Sequence, residues 1–206
     1  VRFNMLDDRT GSYTRFKVKN FTALVNNLDV NTMNFDLGKL YADELRLEVR
    51  NTKASAKATT DTAAIALPIL KADSILIKNS FVSFVDEVNN IRSENSIGLL
   101  NLTGVTNVGH STLFSVDNLQ LHNSKVLFNQ AMDPAKKVAV KQAVGSDSIV
   151  VNDMLSFVVK EIDLDSNAIT YNNTATPVLL NGLDYNHLAL TNLLLKATGT
   201  SYANGN

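Results

Sequence analysis

Apolar and polar positions alternate along most of this chain, and the alternation comes in copies. Residues 116–130, VDNLQLHNSKVLFNQ, share a pattern with residues 72–86, ADSILIKNSFVSFVD, and with residues 159–173, VKEIDLDSNAITYNN. Aligned, Ile75, Leu119 and Ile162 share one column, and Phe84, Phe128 and Tyr171 another. A recurring period with little identity beyond the pattern is the signature of a repeat architecture, in which each unit buries its apolar face against its neighbours.

Parity predicts the shape of each copy. Leu119 and Leu121 alternate with Asn118, Gln120 and His122, the period of a strand that is apolar on one side. After Asn123 and Ser124 the apolar parity switches, to Val126 and Phe128. A two-residue turn at Asn123-Ser124 would set Leu121 opposite Val126 and Leu119 opposite Phe128, giving a hairpin with one apolar face. Asn79-Ser80 and Ser166-Asn167 occupy the equivalent turns, where Asn tolerates positive φ.

The rest of the chain reads as further strands. YTRFKVK (13–19), MNFDL (33–37) and DELRLEVR (43–50) alternate. IGLLNLTGV (97–105) reads as a return strand, and VAVKQAV, SIVVN and HLALTNLLLKA complete the set. Residues 51–66, rich in Ala, Thr and Lys, lean towards strand, the first eleven residues show little pattern, and residues 177–182 form a break. The expectation is an all-β chain: an elongated, curved antiparallel sheet of repeated hairpins, with about four short strands per period and twelve to sixteen in all. Clear repeats span 72–115, 116–158 and 159–197, and 1–71 supplies looser strands of the same unit. The opening Val and the soft SYANGN ending suggest an excised fragment of a larger protein.

Composition narrows the function. With 19 basic and 20 acidic residues and no basic stripe, the chain lacks the footprint of a nucleic-acid binder. Having no cysteine, it can form no disulfide, thiolate nucleophile or Cys-based zinc site. His110, His122 and His187 show no metal-pair spacing, and carboxylates such as Asp163 and Asp165 alternate outward around Leu164. No Walker loop, G-x-S-x-G elbow, G-x-G-x-x-G or EF-hand loop occurs. The three N-x-T matches, at Asn20, Asn101 and Asn172, are expected by chance in so asparagine-rich a chain. A non-enzymatic role follows, with no cofactor and no metal.

NLQLHNSKVLFN, EIDLDSNAITYNN and LNGLDYNHLALTNLLLKA resemble the repeats of TamB and other AsmA-like proteins of the Gram-negative envelope. The resemblance covers residues 72–197 well and the first seventy loosely. It implies a taco-like β-groove with an apolar interior, in a periplasmic segment of an inner-membrane-anchored protein. It further implies transport of phospholipid towards the outer membrane, in outer-membrane biogenesis, with a barrel of the TamA type as partner through regions outside this segment. Acyl chains would then run along a lining of Ile75, Ile77, Val82, Phe84, Leu119, Leu121, Val126, Phe128, Ile162, Leu164, Ile169 and Tyr171. The competing reading is a structural β-solenoid or adhesin stalk whose apolar faces meet in a dry core.

Overall fold

A computed structural model describes residues 1–7, 11–52, 68–107, 113–131 and 156–202. Among them the chain is all-β, with eleven strands in one mixed sheet. In chain order these are β1 (Arg2–Asp7), β2 (Ser12–Lys17), β3 (Asn20–Asp29), β4 (Asn34–Asp43), β5 (Arg46–Asn51) and β6 (Ile69–Asp86). Then come β7 (Ile91–Asn107), β8 (Leu113–His122), β9 (Lys125–Gln130), β10 (Ser156–Asn173) and β11 (His187–Tyr202). The segments VAVKQAV and SIVVN, and residues 53–67, lie outside the described residues.

Several strands are halves of longer ones. Strands β8 and β9 both pair antiparallel with β7 and parallel with β10, in an unbroken register across Asn123-Ser124. Strands β4 and β5 do the same along β6, parallel to it, and β3 and β2 line up antiparallel along β4 and β5. The sheet is therefore a ladder of eight rungs: β1, β3 with β2, β4 with β5, β6, β7, β8 with β9, β10 and β11. Five rungs, β1, β4 with β5, β6, β8 with β9, and β10, run in one direction, while β3 with β2, β7 and β11 run the other way. The expected all-β fold is present, but its sheet is mixed where a purely antiparallel one was expected.

The hairpins within each copy are absent. Leu121 faces Leu100 and Leu164, not Val126, and Leu119 faces Leu102 and Ile162, not Phe128. The chain keeps its direction through Asn123-Ser124, and through Asn79-Ser80 and Ser166-Asn167 as well. At each site a single left-handed residue bends the strand: Asn79 (φ 48°), Asn123 (φ 51°) and Ser166 (φ 56°), with Glu44 (φ 52°) at the same level between β4 and β5. An odd residue absorbed in a bend switches side-chain parity as a reversal would, which is why the sequence pattern admits both. Because the strands bend at the same level, the ladder from β5 to β10 crosses the crease without slipping, whereas β10 and β11 shift register there, between Leu164 and Ile169. On β7 the position facing Asn123 is Gly98, where a Cβ would stand 2.5 Å from the Asn123 carbonyl oxygen.

A second crease runs six residues away along the same strands, through Asp73, Gly104 (φ 59°), Asp117 and Lys160. There Ala72, Val105, Val116 and Val159 are buried, and Ile75, Leu102, Leu119 and Ile162, each three positions away along its strand, pack against them. Two creases thus divide each long strand into three panels. All close approaches between strands are between hydrogen-bonded neighbours, and no helix or second sheet layer occurs among the described residues.

Turns at the panel ends repeat a device. Asp29 Oδ1 accepts from the backbone N–H of Asn31 (2.9 Å) and Thr32 (3.2 Å), and Asp86 Oδ1 from Val88 (3.0 Å) and Asn89 (3.1 Å). Between β10 and β11, Asp184 accepts from Leu179, Asn186 and His187. These bonds favour the ionised form and hold all three carboxyls below the usual range: for Asp29 the bonds from Thr32 lead, for Asp86 the Asn89 side chain, for Asp184 the Leu179 N–H.

Candidate functional site

Twelve expected lining residues fall into four columns across the sheet. Ile75, Leu119 and Ile162 form one, with Leu102 of β7 between Ile75 and Leu119. Ile77, Leu121 and Leu164 form the next, with Leu100 in the same gap. Beyond the crease lie Val82, Val126 and Ile169, then Phe84, Phe128 and Tyr171. All twelve are half-buried: each leans on its column neighbours and remains open on the side away from the sheet.

The two central columns are aliphatic from edge to edge. One reads Leu40, Ile75, Leu102, Leu119, Ile162, Ala197, and the other Ala42, Ile77, Leu100, Leu121, Leu164, Leu195. From β4 to β11 this is six rungs, or roughly 24 Å at the usual strand spacing of about 4.8 Å. Columns of the third panel are interrupted on β7, where Asn95 stands between Val82 and Val126 and Ser93 between Phe84 and Phe128. Asn95 Nδ2 donates to Ser93 Oγ at 2.9 Å, so the two interruptions form one polar spot. Beside it the Phe128 and Tyr171 rings stack at 6.1 Å, and Gln130 Nε2 donates to Tyr171 Oη at 2.5 Å.

Sequence reasoning missed a fourth copy. Residues 37–51, LGKLYADELRLEVRN, align with residues 72–86 without a gap: Leu37 faces Ala72, Leu40 faces Ile75, Leu47 faces Val82 and Val49 faces Phe84. Its spacing from the next copy is 35 residues, as Leu40 and Ile75 face each other, not the wider spacing of the later copies, so a search at fixed period passes over it. The parity break at Glu44-Leu45, between Ala42 and Leu47, was the available signal.

The supposed turn residues instead hold the crease together. Ser80 Oγ accepts from Leu45 N–H (3.0 Å) and donates to the Lys78 carbonyl (2.6 Å). Ser124 Oγ repeats this with Gly98 N–H (3.1 Å) and the His122 carbonyl (2.9 Å). At the third equivalent position Asn167 does both jobs with an amide: Oδ1 accepts from Ser124 N–H (2.9 Å), and Nδ2 donates to the Leu121 carbonyl (2.5 Å). Ser124 and Asn167 are 1% and 0% exposed, so their bonds replace water that cannot reach the bend.

The opposite face of the central panel is polar. Asn101 Nδ2 donates to Gln120 Oε1 (2.9 Å), and Asp163 lies 3.6 Å from His122 and 3.9 Å from Lys196. His187 Nδ1 lies 2.8 Å from Asp184 Oδ2, within the loop before β11. Among the described residues no three His, Cys, Asp or Glu side chains gather as a metal site would require. What the arrangement offers chemically is a long aliphatic track on a single-layer sheet. Comparison with protein families, with curated proteins and with solved structures finds no match to this chain.

Proposed function

We propose that the chain is a segment of a non-enzymatic lipid conduit of the cell envelope, in which phospholipid acyl chains move along the apolar columns between inner and outer membrane. The observation that carries the reading is the pair of unbroken aliphatic columns, half-buried by their neighbours except at buried Ala42 and exposed Leu195, and covered by no second layer among the described residues. Burying a Leu or Ile fully is worth about 1.5–3 kcal/mol. Leaving two such columns half open forgoes several kcal/mol, comparable with a whole domain's net stability of about 5–15 kcal/mol. An apolar guest recovers that energy without specific hydrogen bonds, which suits passage over capture.

The resemblance to TamB-type repeats supports the same reading and supplies its setting, a periplasmic segment of an inner-membrane-anchored protein working with an outer-membrane barrel. Half-exposure of the columns favours an open trough over the dry-cored structural stalk. Photo-crosslinking in cells tests it, with the photoreactive residue at Leu119 or Phe128 and, on the polar face, at Gln120. Phospholipid captured at Leu119 and Phe128 but not at Gln120 is the expected result. Capture at none of the three, in folded protein, would replace the conduit with the structural stalk.

A further inference from the structure

On the polar face, three cations stand abreast on adjacent strands. Arg2 of β1 faces Lys17 of β2, which faces Arg46 of β5. Like charges directly opposite one another weaken a sheet, and the local carboxylates do not cancel them. Glu48 is shared by Arg15 (3.4 Å) and Arg46 (2.6 Å), and Glu44 is taken by Lys19 (2.5 Å). Asp43 accepts from the side chains of Asn20 (3.2 Å) and Asn79 (3.0 Å). Five cations therefore meet three carboxylates, and Arg2 and Lys17 have no acidic partner among the described residues.

The crease supplies a shape to go with the charge. Where Glu44 and Asn79 bend their strands, a shallow recess opens between Lys17, Lys19, Arg46, Asn79 and Phe81, with Glu44, the partner of Lys19, as the one carboxylate in its lining. Arg46 is fixed in it by its bond to Glu48 and by the Phe81 ring, 5.0 Å below the guanidinium. A guanidinium held beside the ammonium of Lys17, unpaired among the described residues, and the Glu44-paired ammonium of Lys19 offers a phosphate charge-assisted bonds from several sides.

We propose that this recess binds a phosphate-bearing anion, with Lys17 and Arg46 as its main contacts and Arg2 and Lys19 completing the positive field. The site lies on the face opposite the apolar columns at the β2, β5 and β6 end of the sheet, and it does not depend on the conduit reading. Two sources present the same chemistry, a soluble phosphate and a phospholipid headgroup at a membrane surface.

The test titrates the folded chain with inorganic phosphate, followed by amide NMR, and separately with phosphatidylcholine vesicles with and without phosphatidic acid, followed by co-sedimentation. Lys17→Glu is compared with Lys125→Glu, an exposed lysine on β9 at the same level of the ladder. Phosphate shifting the amides around Lys17 and Arg46, with affinity falling about tenfold in Lys17→Glu (about 1.4 kcal/mol) and unchanged in Lys125→Glu, establishes a soluble-anion site. Sedimentation only with phosphatidic acid vesicles, lost in Lys17→Glu alone, establishes a headgroup site. Binding in neither arm, or equal loss in both variants, overturns the proposal. Should Lys17→Glu melt early, Lys17→Gln gives the same comparison without the added charge.

Discussion

At the residue scale, the crease makes its strongest demand at Asn167. This amide has no solvent exposure and satisfies both a donor and an acceptor at the bend of the neighbouring β8–β9 rung. Asn167→Ala leaves the Ser124 N–H and the Leu121 carbonyl unpaired where water cannot replace the lost partner, a loss of about 2–4 kcal/mol to be read as a lower urea midpoint. Gly104 makes a different demand. Its φ of 59° strains any side chain, and a Cβ there would lie 2.1 Å from Asp117 Oδ2. Gly104→Ala is expected to cost well over the roughly 1–2 kcal/mol of left-handed strain in the native background. In an Asp117→Ala background, which removes the carboxyl but keeps a Cβ 2.9 Å away, the penalty should fall towards that strain. Equal penalties in the two backgrounds would mean that Asp117 does not crowd the glycine.

Elements were legible in the sequence where alternation was long, and misread where it broke. The columns of Ile75, Leu119 and Ile162, the return strand β7 and the last strand β11 all follow from period-two patterning. Parity alone could not decide what happens at Asn123-Ser124, because a two-residue reversal and a bend at one left-handed residue both switch the apolar parity. Only the neighbouring rung, with Gly98 against Asn123, separates the two, and that pairing is non-local. Strand β1 was missed because its apolar residues, Phe3, Met5 and Leu6, do not keep strict alternation. Because the chain has no cysteine, the two readings can be separated directly. Under oxidation Leu121→Cys with Leu164→Cys should cross-link, as neighbours in register, whereas Leu121→Cys with Val126→Cys should stay reduced. Turns carry their own prediction. The folded-state pKa values of Asp29, Asp86 and Asp184 are depressed, so their contribution is present above the unfolded carboxyl value of about 3.9 and fades as pH falls through the folded values. Stability should decline below about pH 4, and Asp86→Asn should flatten that decline in a pH series of thermal melts.

On the scale of the whole molecule, the two creases sort the apolar columns into tracks of unequal quality. The central panel presents Leu, Ile and Ala from β4 to β11 without a polar side chain in either column. Ser93 and Asn95 break the third panel at its midpoint and satisfy each other there. A guest made of methylene groups gains about 0.8 kcal/mol for each one buried and gains nothing over the polar spot, so it should settle lengthwise on the central panel, crossing the strands. Crosslinking yield at Leu119 should therefore exceed that at Phe128. Replacing the interruption, Ser93→Ala with Asn95→Val, makes the third panel continuous. The double variant should raise capture at Phe128 towards the level at Leu119 while leaving the fold intact. If Phe128 captures as much as Leu119 before the change, the polar spot is no barrier, and the guest is held by the aromatic pair of Phe128 and Tyr171 instead of by the aliphatic track.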